Sequence, residues 1–293
     1  MRHIRGGTKA AVSSPGQEGA ITRYPRGSTV LIVACLVAVG YAQGQWQRWR
    51  EPPRFHPDVV TDRAFTFCRV MYERVRYEAG GQGWVTDYPY ADINFMTRLA
   101  ELTATDVSFD GDKEPNHYVV RLTDEALFAC PFVMASDVGT AGLTSEEVER
   151  LRTYLLRGGF LWVDDFWGER AWEHWVAEIR QVLPAGEYSI EDVPLDDPLF
   201  ATHYVVPEVP QITSIQFWRR AGGSTTSERG SESAVPHLRA IRDRNGRIMV
   251  LMSHNTDIAD AWEREGEDYD FFYRFAHVGY ALGINVLLHA MTH

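Results

Sequence analysis

Apolar and polar positions form their most regular pattern in the middle of the chain. Phe132–Ala135 is a short apolar run, and Phe160–Val163 is an apolar run without alternation, which is typical of a strand buried on both faces. Between them, Thr144-Ser145-Glu146-Glu147 forms a capping box ahead of a helix that ends at Gly158-Gly159. A second helical stripe runs from Trp172 to Val182. This alternation of strands and helices predicts a βαβ unit, and therefore a parallel sheet with helices on both faces.

The flanking regions extend this pattern. Ala64–Met71 is rich in β-branched and aromatic residues and predicts the first strand. Helical spacing of apolar residues predicts helices over Ala91–Leu102 and Phe271–Met291. His237–Arg242 and Ile248–Met252 flank an Asn-Gly pair, which indicates a β-hairpin. We therefore expect one α/β domain with a mostly parallel sheet over residues 63–293, without an internal repeat.

The N-terminal region has a different composition. Arg23 and Arg26 precede a short apolar run, residues 30–39, and Gly40 and Ala42 have the small-x-small spacing of a signal-peptidase site. Residues 1–42 are therefore predicted to be a signal peptide or an uncleaved signal anchor, with possible membrane attachment through residues 28–42. Residues 43–62, rich in Arg and Pro, are predicted to be a linker. The protein is expected to be exported, either periplasmic or anchored to the cytoplasmic membrane.

Charge and cysteine content narrow the functional classes. Residues 1–54 contain eight Arg or Lys and two Glu, a net charge of +6. Because the net charge of the whole chain is −11, the remaining residues carry a net charge of −17. This acidic body argues against nucleic acid as a partner, because phosphate backbones need clustered positive charge. Export would leave Cys68 and Cys130 in apolar surroundings, as a disulfide or as two buried thiols. The spacing of Cys and His does not match a zinc site.

Polar clusters follow the predicted strands. In open parallel sheets, ligands bind beyond the carboxyl ends of the strands. Ser136-Asp137, Asp164-Asp165 and residues 253–257 occupy such positions, and Thr86–Asp92 precedes a helix. The candidate ligand-binding residues are Asp87, Tyr88, Asp92, Asp137, Asp164, Asp165, Trp167 and His254.

Simpler structural roles remain open for these residues. Asp87 or Asp92 could cap the helix over Ala91–Leu102, and Asp165 could cap the helix that follows it. Asp257 and Asp260 could form a solvated helical face, and His254 could be a satisfied structural histidine. Adjacent carboxylates can also recruit a cation, and Trp167 could offer an apolar face to a sugar ring. The glycine-rich stretch Gly80-Gly81-Gln82-Gly83 is expected to be a flexible loop. No cofactor is indicated, and the sequence does not specify a metal.

Several segments resemble the DUF4159 family, an uncharacterised bacterial family. They are FTFCRVMYERVRY, WVTDYPYADINFMTRL, LTSEEVERLRTYLLRGGFLWVDDFWG and HVGYALGINVLLHAMTH. The resemblance implies a flavodoxin-like fold similar to the class I glutamine amidotransferase-like group, which includes ThuA-like proteins. In those relatives the turn after the glycine-led strand carries a catalytic Cys or His. Here that turn holds Asp164, Asp165 and Phe166, so the resemblance implies the location of a site but not amidotransferase chemistry.

Three functions follow as expectations. The first is an exported domain that binds an unknown small molecule or an envelope protein at the edge of the sheet. The second is a hydrolase, directed at carbohydrate or assisted by a metal, in which Asp164, Asp165 and His254 are the catalytic candidates. The third is a structural component of the cell envelope. The sequence contains no GxSxG, HExxH, Walker or GxGxxG motif, so it does not decide whether the protein is an enzyme.

Overall fold

The computed structural model describes residues 52–57 and 63–293. Within them, seven strands form one sheet in the order β3-β1-β4-β6-β9-β8-β7, and β2 and β5 form a small antiparallel ribbon. The strands are β1 (Phe67–Met71), β2 (Glu73–Arg74), β3 (His117–Arg121), β4 (Phe132–Ser136), β5 (Ala141–Gly142), β6 (Phe160–Phe166), β7 (Glu191–Asp192), β8 (His237–Arg242) and β9 (Ile248–His254). The helices are α1 (Tyr90–Leu102), α2 (Ser145–Leu156), α3 (Gly168–Val182), α4 (Ile215–Arg220), α5 (Asp260–Glu263), α6 (Tyr269–Phe271) and α7 (His277–Thr292).

The five strands β3, β1, β4, β6 and β9 are parallel, and β8 runs antiparallel beside β9. Taken in chain order, these five strands have the 2-1-3-4-5 arrangement of flavodoxin-like folds. The predicted fold class, a mostly parallel α/β sheet, is therefore confirmed. In this arrangement the strand order reverses between β1 and β4, and ligands in such folds bind outside the carboxyl ends of the strands at that point.

Helices cover both faces of the sheet because the central strands are apolar on both sides. On one face, Trp162 of β6 packs in a core with Phe95 of α1, Trp262 of α5 and Leu282 of α7. On the other face, Val163 belongs to a second core with residues of α2 and α3. The absence of hydrophobic alternation in β6 thus reflects burial on both faces.

Several local expectations are confirmed. The Thr144 hydroxyl accepts from the Glu147 amide, and the Glu147 carboxylate accepts from the Thr144 amide at 2.8 Å, which completes the capping box of α2. The hairpin of β8 and β9 also forms. Of the two states left open for the cysteines, the structure contains the disulfide: Cys68 of β1 is bonded to Cys130, just before β4.

Other elements differ from expectation. The strand expected to end at Val163 continues through both aspartates to Phe166. The edge strand β3 was not predicted. Residues 54–56, placed by the sequence in a linker, pair with β3: the Val119 amide donates to the Arg54 carbonyl at 2.8 Å. The predicted signal or anchor at residues 1–42 lies outside the described residues.

The C-terminal helical segment Tyr269–Thr292 is long and apolar enough to cross a membrane, but 61% of its most apolar window is buried inside the fold. Leu282, Ile284 and Val286 contribute to the core beneath the sheet. The composition of this helix is therefore explained by its position in the interior of the domain.

Candidate functional site

An unusual backbone conformation is concentrated at the carboxyl edge of the sheet. Four of the five non-glycine residues with positive φ in the described chain lie there, each at the end of a strand or in the connection before α1. They are Asp87 (φ 66°), Asp137 (φ 52°), Asp165 (φ 54°) and Asn255 (φ 61°). Asp and Asn tolerate the left-handed region better than other non-glycine residues, but it still costs energy. Such clustering is typical of functional sites, where the surrounding structure holds strained residues in place.

A β-bulge separates the two adjacent aspartates. Val163 pairs with Met252 and Phe166 pairs with His254, so Asp164 and Asp165 together face only Ser253 of β9. The extra residue is accommodated by the left-handed backbone of Asp165. Because of the bulge, the two carboxylates leave the strand in different directions.

Asp164 is fully buried. Its Oδ2 accepts from the backbone amide of Ala259 at 2.9 Å, and its Oδ1 has no well-formed hydrogen bond among the described residues, although the Asp165 amide and the Ser253 hydroxyl are near enough to lower its pKa. Burial raises the pKa of Asp164 from 3.8 to about 7. A buried carboxylate oxygen without a partner is costly, which indicates that a proton or a cation normally satisfies it.

Asp165 is only partly buried and lies at the edge of the sheet. Its Oδ1 accepts from the indole N–H of Trp167 at 2.9 Å. It does not cap α3, because that helix begins without a side-chain cap and the Gly168 amide donates instead to Asn255 Oδ1 at 2.8 Å. Burial, followed by the charges of Asp87 and Asp137, raises the pKa of Asp165 well above its ordinary value.

Three carboxylates from three separate elements converge at this point. Asp87, from the connection before α1, Asp165, from the end of β6, and Asp257, after β9, each offer an oxygen, and these oxygens all lie within 4.8 Å of one another. We call this set the first trio. Burial is the main cause that raises the pKa of both Asp87 and Asp257, and neighbouring carboxylates raise it further. Protons or a cation must offset this repulsion.

A second set shares Asp87. Oxygens of Asp87, Asp260 and Glu263 also lie within 4.8 Å of one another, and we call this set the second trio. Asp260 Oδ2 accepts from the Ile215 amide at 2.8 Å, and Glu263 Oε2 pairs with Arg264 Nε at 2.8 Å. Burial and then the charge of Glu263 raise the pKa of Asp260. Carboxylate oxygens in such groups are ligands for hard divalent cations, so both trios could hold a metal ion.

Asp137 directly follows β4 and is held by the glycine-rich stretch. The Gly83 amide donates to Asp137 Oδ2 at 2.7 Å. A Cβ on Gly81 would lie 2.3 Å from the same oxygen, so a larger residue could not approach this closely. Burial raises the pKa of Asp137 to about 6. The stretch expected to be a flexible loop is therefore packed against a carboxylate at the edge of the sheet.

Asp92 lies next to the site, but its carboxylate is engaged elsewhere. Arg69 and Asp92 are both buried, and Arg69 Nε donates to Asp92 Oδ1 at 3.1 Å and Oδ2 at 3.0 Å. Arg69 Nη1 also donates to Ser136 Oγ at 2.8 Å, and that hydroxyl donates to Asp87 Oδ2 at 3.3 Å. Asp92 therefore positions Arg69 and, through Ser136, orients Asp87.

Two aromatic candidates also face inward. The Tyr88 hydroxyl accepts from the Arg54 amide at 3.0 Å, and its ring contacts His117. Trp167 is only 4% exposed, and its indole N–H is used by Asp165. Trp167 therefore supports the Asp165 carboxylate, whereas Tyr88 is engaged by the Arg54 amide and His117.

His254 lies on the other face of the sheet. Its Nε2 donates to the Gly168 carbonyl at 3.1 Å, and its Nδ1 accepts from Arg239 Nη1 at 3.2 Å. Its ring packs against Phe166 and Trp172. Burial lowers the pKa of His254 to about 4, so the imidazole is neutral at physiological pH. The structure therefore separates His254 from the first trio.

Sequence reasoning missed part of the carboxylate cluster. Asp257 and Asp260, considered as a solvated helical face, are 3% and 2% exposed. Glu263 was not considered, although its spacing from Asp257 and Asp260 continues at intervals of three. Glu228, from the polar stretch 222–233, accepts from the Ser214 amide at 2.9 Å and contributes to the raised pKa of Asp165, after burial and the nearer aspartates. The apolar neighbours of residues 257–263 were the available signal.

Comparison with known proteins places the chain in a family. None of the curated proteins matches it. The model of the family described as Domain of unknown function (DUF4159) matches residues 67–291, which span nearly the whole sheet and every carboxylate of both trios. Because this match covers most of the sequence, the chain belongs to the DUF4159 family.

Proposed function

We propose that the domain binds a divalent cation at the first trio and, through that cation, an oxygen-bearing ligand at the carboxyl edge of the sheet. The observation that carries this proposal is the convergence of Asp87, Asp165 and Asp257, whose oxygens lie within 4.8 Å of one another. Three elements far apart in sequence supply them, so the fold itself brings these like charges together.

Charge supports a cation over a structural ion pair. Among the described residues, no Arg or Lys forms a salt bridge with any member of the first trio. Arg69, the nearest cationic partner of Asp87, is bound to Asp92. Three oxygen ligands suit Mg²⁺, Mn²⁺ or Ca²⁺, which complete their coordination with water or ligand oxygens. The partial exposure of Asp165 leaves solvent access for such a ligand.

Cation binding by the full chain tests this proposal. We expect isothermal titration with Mn²⁺, Mg²⁺ and Ca²⁺ to show saturable binding. Asp165→Asn and Asp257→Asn should each weaken it by about 10- to 100-fold or more, since losing even an outer partner costs that much. Asp112→Asn, in an exposed turn, is the matched control and should bind as the wild type does. Unchanged binding in both site variants would refute the proposal.

The resemblance to the class I glutamine amidotransferase-like group, including ThuA-like proteins, bears on the same position. We infer that the end of β6 is the counterpart of the turn that carries the nucleophile in those proteins. Its residues here are Asp164, Asp165 and Phe166. An aspartate pair supplies cation ligands and lacks a thiol or imidazole, which favours ligand binding over acyl transfer.

A metal-assisted hydrolase is the second candidate. The partial exposure of Asp165 favours it, because water could reach a cation held there and a bound divalent cation activates water as a nucleophile. His254 would not be the acid in this reaction, since it is neutral and faces the other side of the sheet. The test is turnover of phosphate esters, glycosides and carboxylic esters. Turnover that requires Mn²⁺ and is lost in Asp257→Asn would establish hydrolysis. If none of these substrate classes is turned over, the hydrolase is refuted and ligand binding alone remains.

Location is part of the proposed function. The Cys68–Cys130 disulfide supports export, because disulfides form and persist mainly in oxidising compartments. We therefore propose that the cation site faces the periplasm or an equivalent extracytoplasmic space, on a domain that is released or stays attached through residues 28–42.

A further inference from the structure

We propose that the second trio holds a second divalent cation, with Asp87 bridging the two ions, and that the ligand carries an oxyanion such as a phosphate group that contacts both. This inference rests on the proposed function, because the first cation must bind for the pair to exist. It deepens that function by specifying the number of cations and the chemical class of the ligand.

The geometry of the two trios supports a shared site. Asp87 belongs to both, and in each trio the ligand oxygens lie within 4.8 Å of one another. A carboxylate has two oxygens and can therefore bridge two ions. In the second trio, Glu263 uses Oε2 for Arg264 and Asp260 uses Oδ2 for the Ile215 amide, so each has its other carboxylate oxygen for an ion.

Charge balance indicates more than one cation. The second trio is not isolated. The carboxylates of Asp164, Asp165 and Asp257 lie near it, and most of these six side chains are buried. The nearby arginines compensate part of this charge, since Arg69 acts on Asp87 and Arg264 acts on Asp260, but each is shared with other carboxylates. Arg69 is bound to Asp92, and Arg264 divides its charge between Glu263 and Glu267, at 2.8 and 3.0 Å. With a single divalent ion the remaining carboxyl groups would have to keep their protons, whereas a second ion would compensate their charge directly.

Asp164 provides an independent observation. It is completely buried, and its Oδ1 has no well-formed hydrogen bond among the described residues, with the Ser253 hydroxyl as a nearby polar group. Its Oδ2 is bonded to the amide of Ala259, which lies between Asp257 of the first trio and Asp260 of the second. Its charge also acts on Asp87 and Asp257, where it adds to the effect of burial. This buried carboxylate acts on members of the first trio, so it adds negative charge that protons or cations must offset.

The ligand class follows from the two ions. Adjacent divalent cations at carboxylate sites bind oxyanions that bridge them, and this arrangement stabilises phosphoryl groups in two-metal enzymes. The carboxylates would coordinate the two ions from the protein side only. The coordination positions that face solvent would then be filled by the negatively charged oxygens of a phosphate group. The oxyanion would approach past Asp165, the partly exposed member of the cluster.

Stoichiometry in the full chain tests the pair. We expect equilibrium dialysis to give two Mn²⁺ per wild-type chain and electron paramagnetic resonance to show a spin-coupled pair. Glu263→Gln should bind one Mn²⁺ with the signal of an isolated ion, and Asp257→Asn should also lose one. Glu267→Gln is the matched control, because Glu267 pairs with the same Arg264 but lies outside both trios. It should retain two ions.

Each outcome separates this inference from the proposed function. One ion in the wild type, lost in Asp257→Asn but unaffected by Glu263→Gln, overturns the pair and leaves the proposed function standing. No bound ion overturns both. If circular dichroism shows that Glu263→Gln is unfolded, Asp260→Asn replaces it, since its amide oxygen can still accept from Ile215.

Inorganic phosphate tests the oxyanion. We expect phosphate to tighten Mn²⁺ binding by the wild type and to alter the spin-coupled signal, and to do neither in Glu263→Gln. A wild-type protein that binds two ions but shows no response to phosphate would overturn the oxyanion part of the inference.

Discussion

At the scale of single residues, backbone conformation decides what each aspartate does. Asp164 and Asp165 are neighbours in sequence, yet one is buried beneath Ala259 and the other reaches the edge of the sheet. The cause is the bulge opposite Ser253, which forces Asp165 into the left-handed region. The sequence predicts that both carboxylates end a strand. It does not predict their divergence, because the bulge depends on the pairing partner of the strand.

Asp137 gives a pH-dependent prediction. Burial raises its pKa from 3.8 to about 6, so the folded protein keeps this proton over a pH range in which the unfolded chain has lost it. The wild type should therefore lose stability as pH rises from about 4 to about 6, by about 2–3 kcal/mol in total. Asp137→Asn retains an acceptor for the Gly83 amide and suits a positive φ, but it does not titrate.

Urea unfolding in the presence of a chelator measures this difference. We expect the variant and the wild type to have similar free energies of unfolding near pH 4, and the variant to be more stable at pH 7 and above. A wild-type advantage that grows with pH would show that the ionised carboxylate of Asp137 is stabilised by the fold, contrary to this assignment.

At the scale of elements, local signals predict helices and hairpins better than edge strands. The capping box at Thr144 and the Asn-Gly turn are contained within a few residues, and both form as expected. By contrast, β3 is stabilised by β1 on one side and by residues 54–56 on the other, which are remote in sequence. The second trio was missed for a similar reason, since the burial of Asp260 depends on Ile215 and the core around Trp262.

The disulfide connects two of these elements and gives the prediction at this scale. Cys68 and Cys130 are separated by 62 residues, and closing a loop of that length restricts the unfolded chain. Reduction should therefore lower the free energy of unfolding by about 2–4 kcal/mol. Urea unfolding with and without dithiothreitol measures the change, and Cys68→Ser/Cys130→Ser should match the reduced wild type. Cys35→Ser serves as the control, because that cysteine lies outside the bridge, and its response to dithiothreitol should equal that of the wild type.

At the scale of the whole molecule, the fold places the carboxylates of the candidate site at one edge of the sheet. The flavodoxin-like strand order brings the loops after β1, β4, β6 and β9 together where the order reverses. The connections after β1, β4 and β9 supply Asp87, Asp137 and Asp257, and the end of β6 supplies Asp165. The fold class and the general location of this site follow from the sequence alone. The trios themselves do not, because they need three segments to meet in space: the connection before α1, the end of β6 and residues 257–263.

Export gives the prediction for the complete chain. Basic residues, a short apolar run and the Gly40-x-Ala42 spacing favour transport across the membrane, and the disulfide suits an oxidising compartment. Expressed in a bacterium, the full chain should be found in the periplasm with Gln43 as its first residue, or in the membrane fraction if the segment stays uncleaved. In both cases Cys68 and Cys130 should resist thiol alkylation until they are reduced. A deletion of residues 1–42 is the control and should remain in the cytoplasm with both thiols reactive after denaturation. If the full chain instead behaves as this deletion does, residues 1–42 are not an export signal, and the cation site would then have to operate inside the cell.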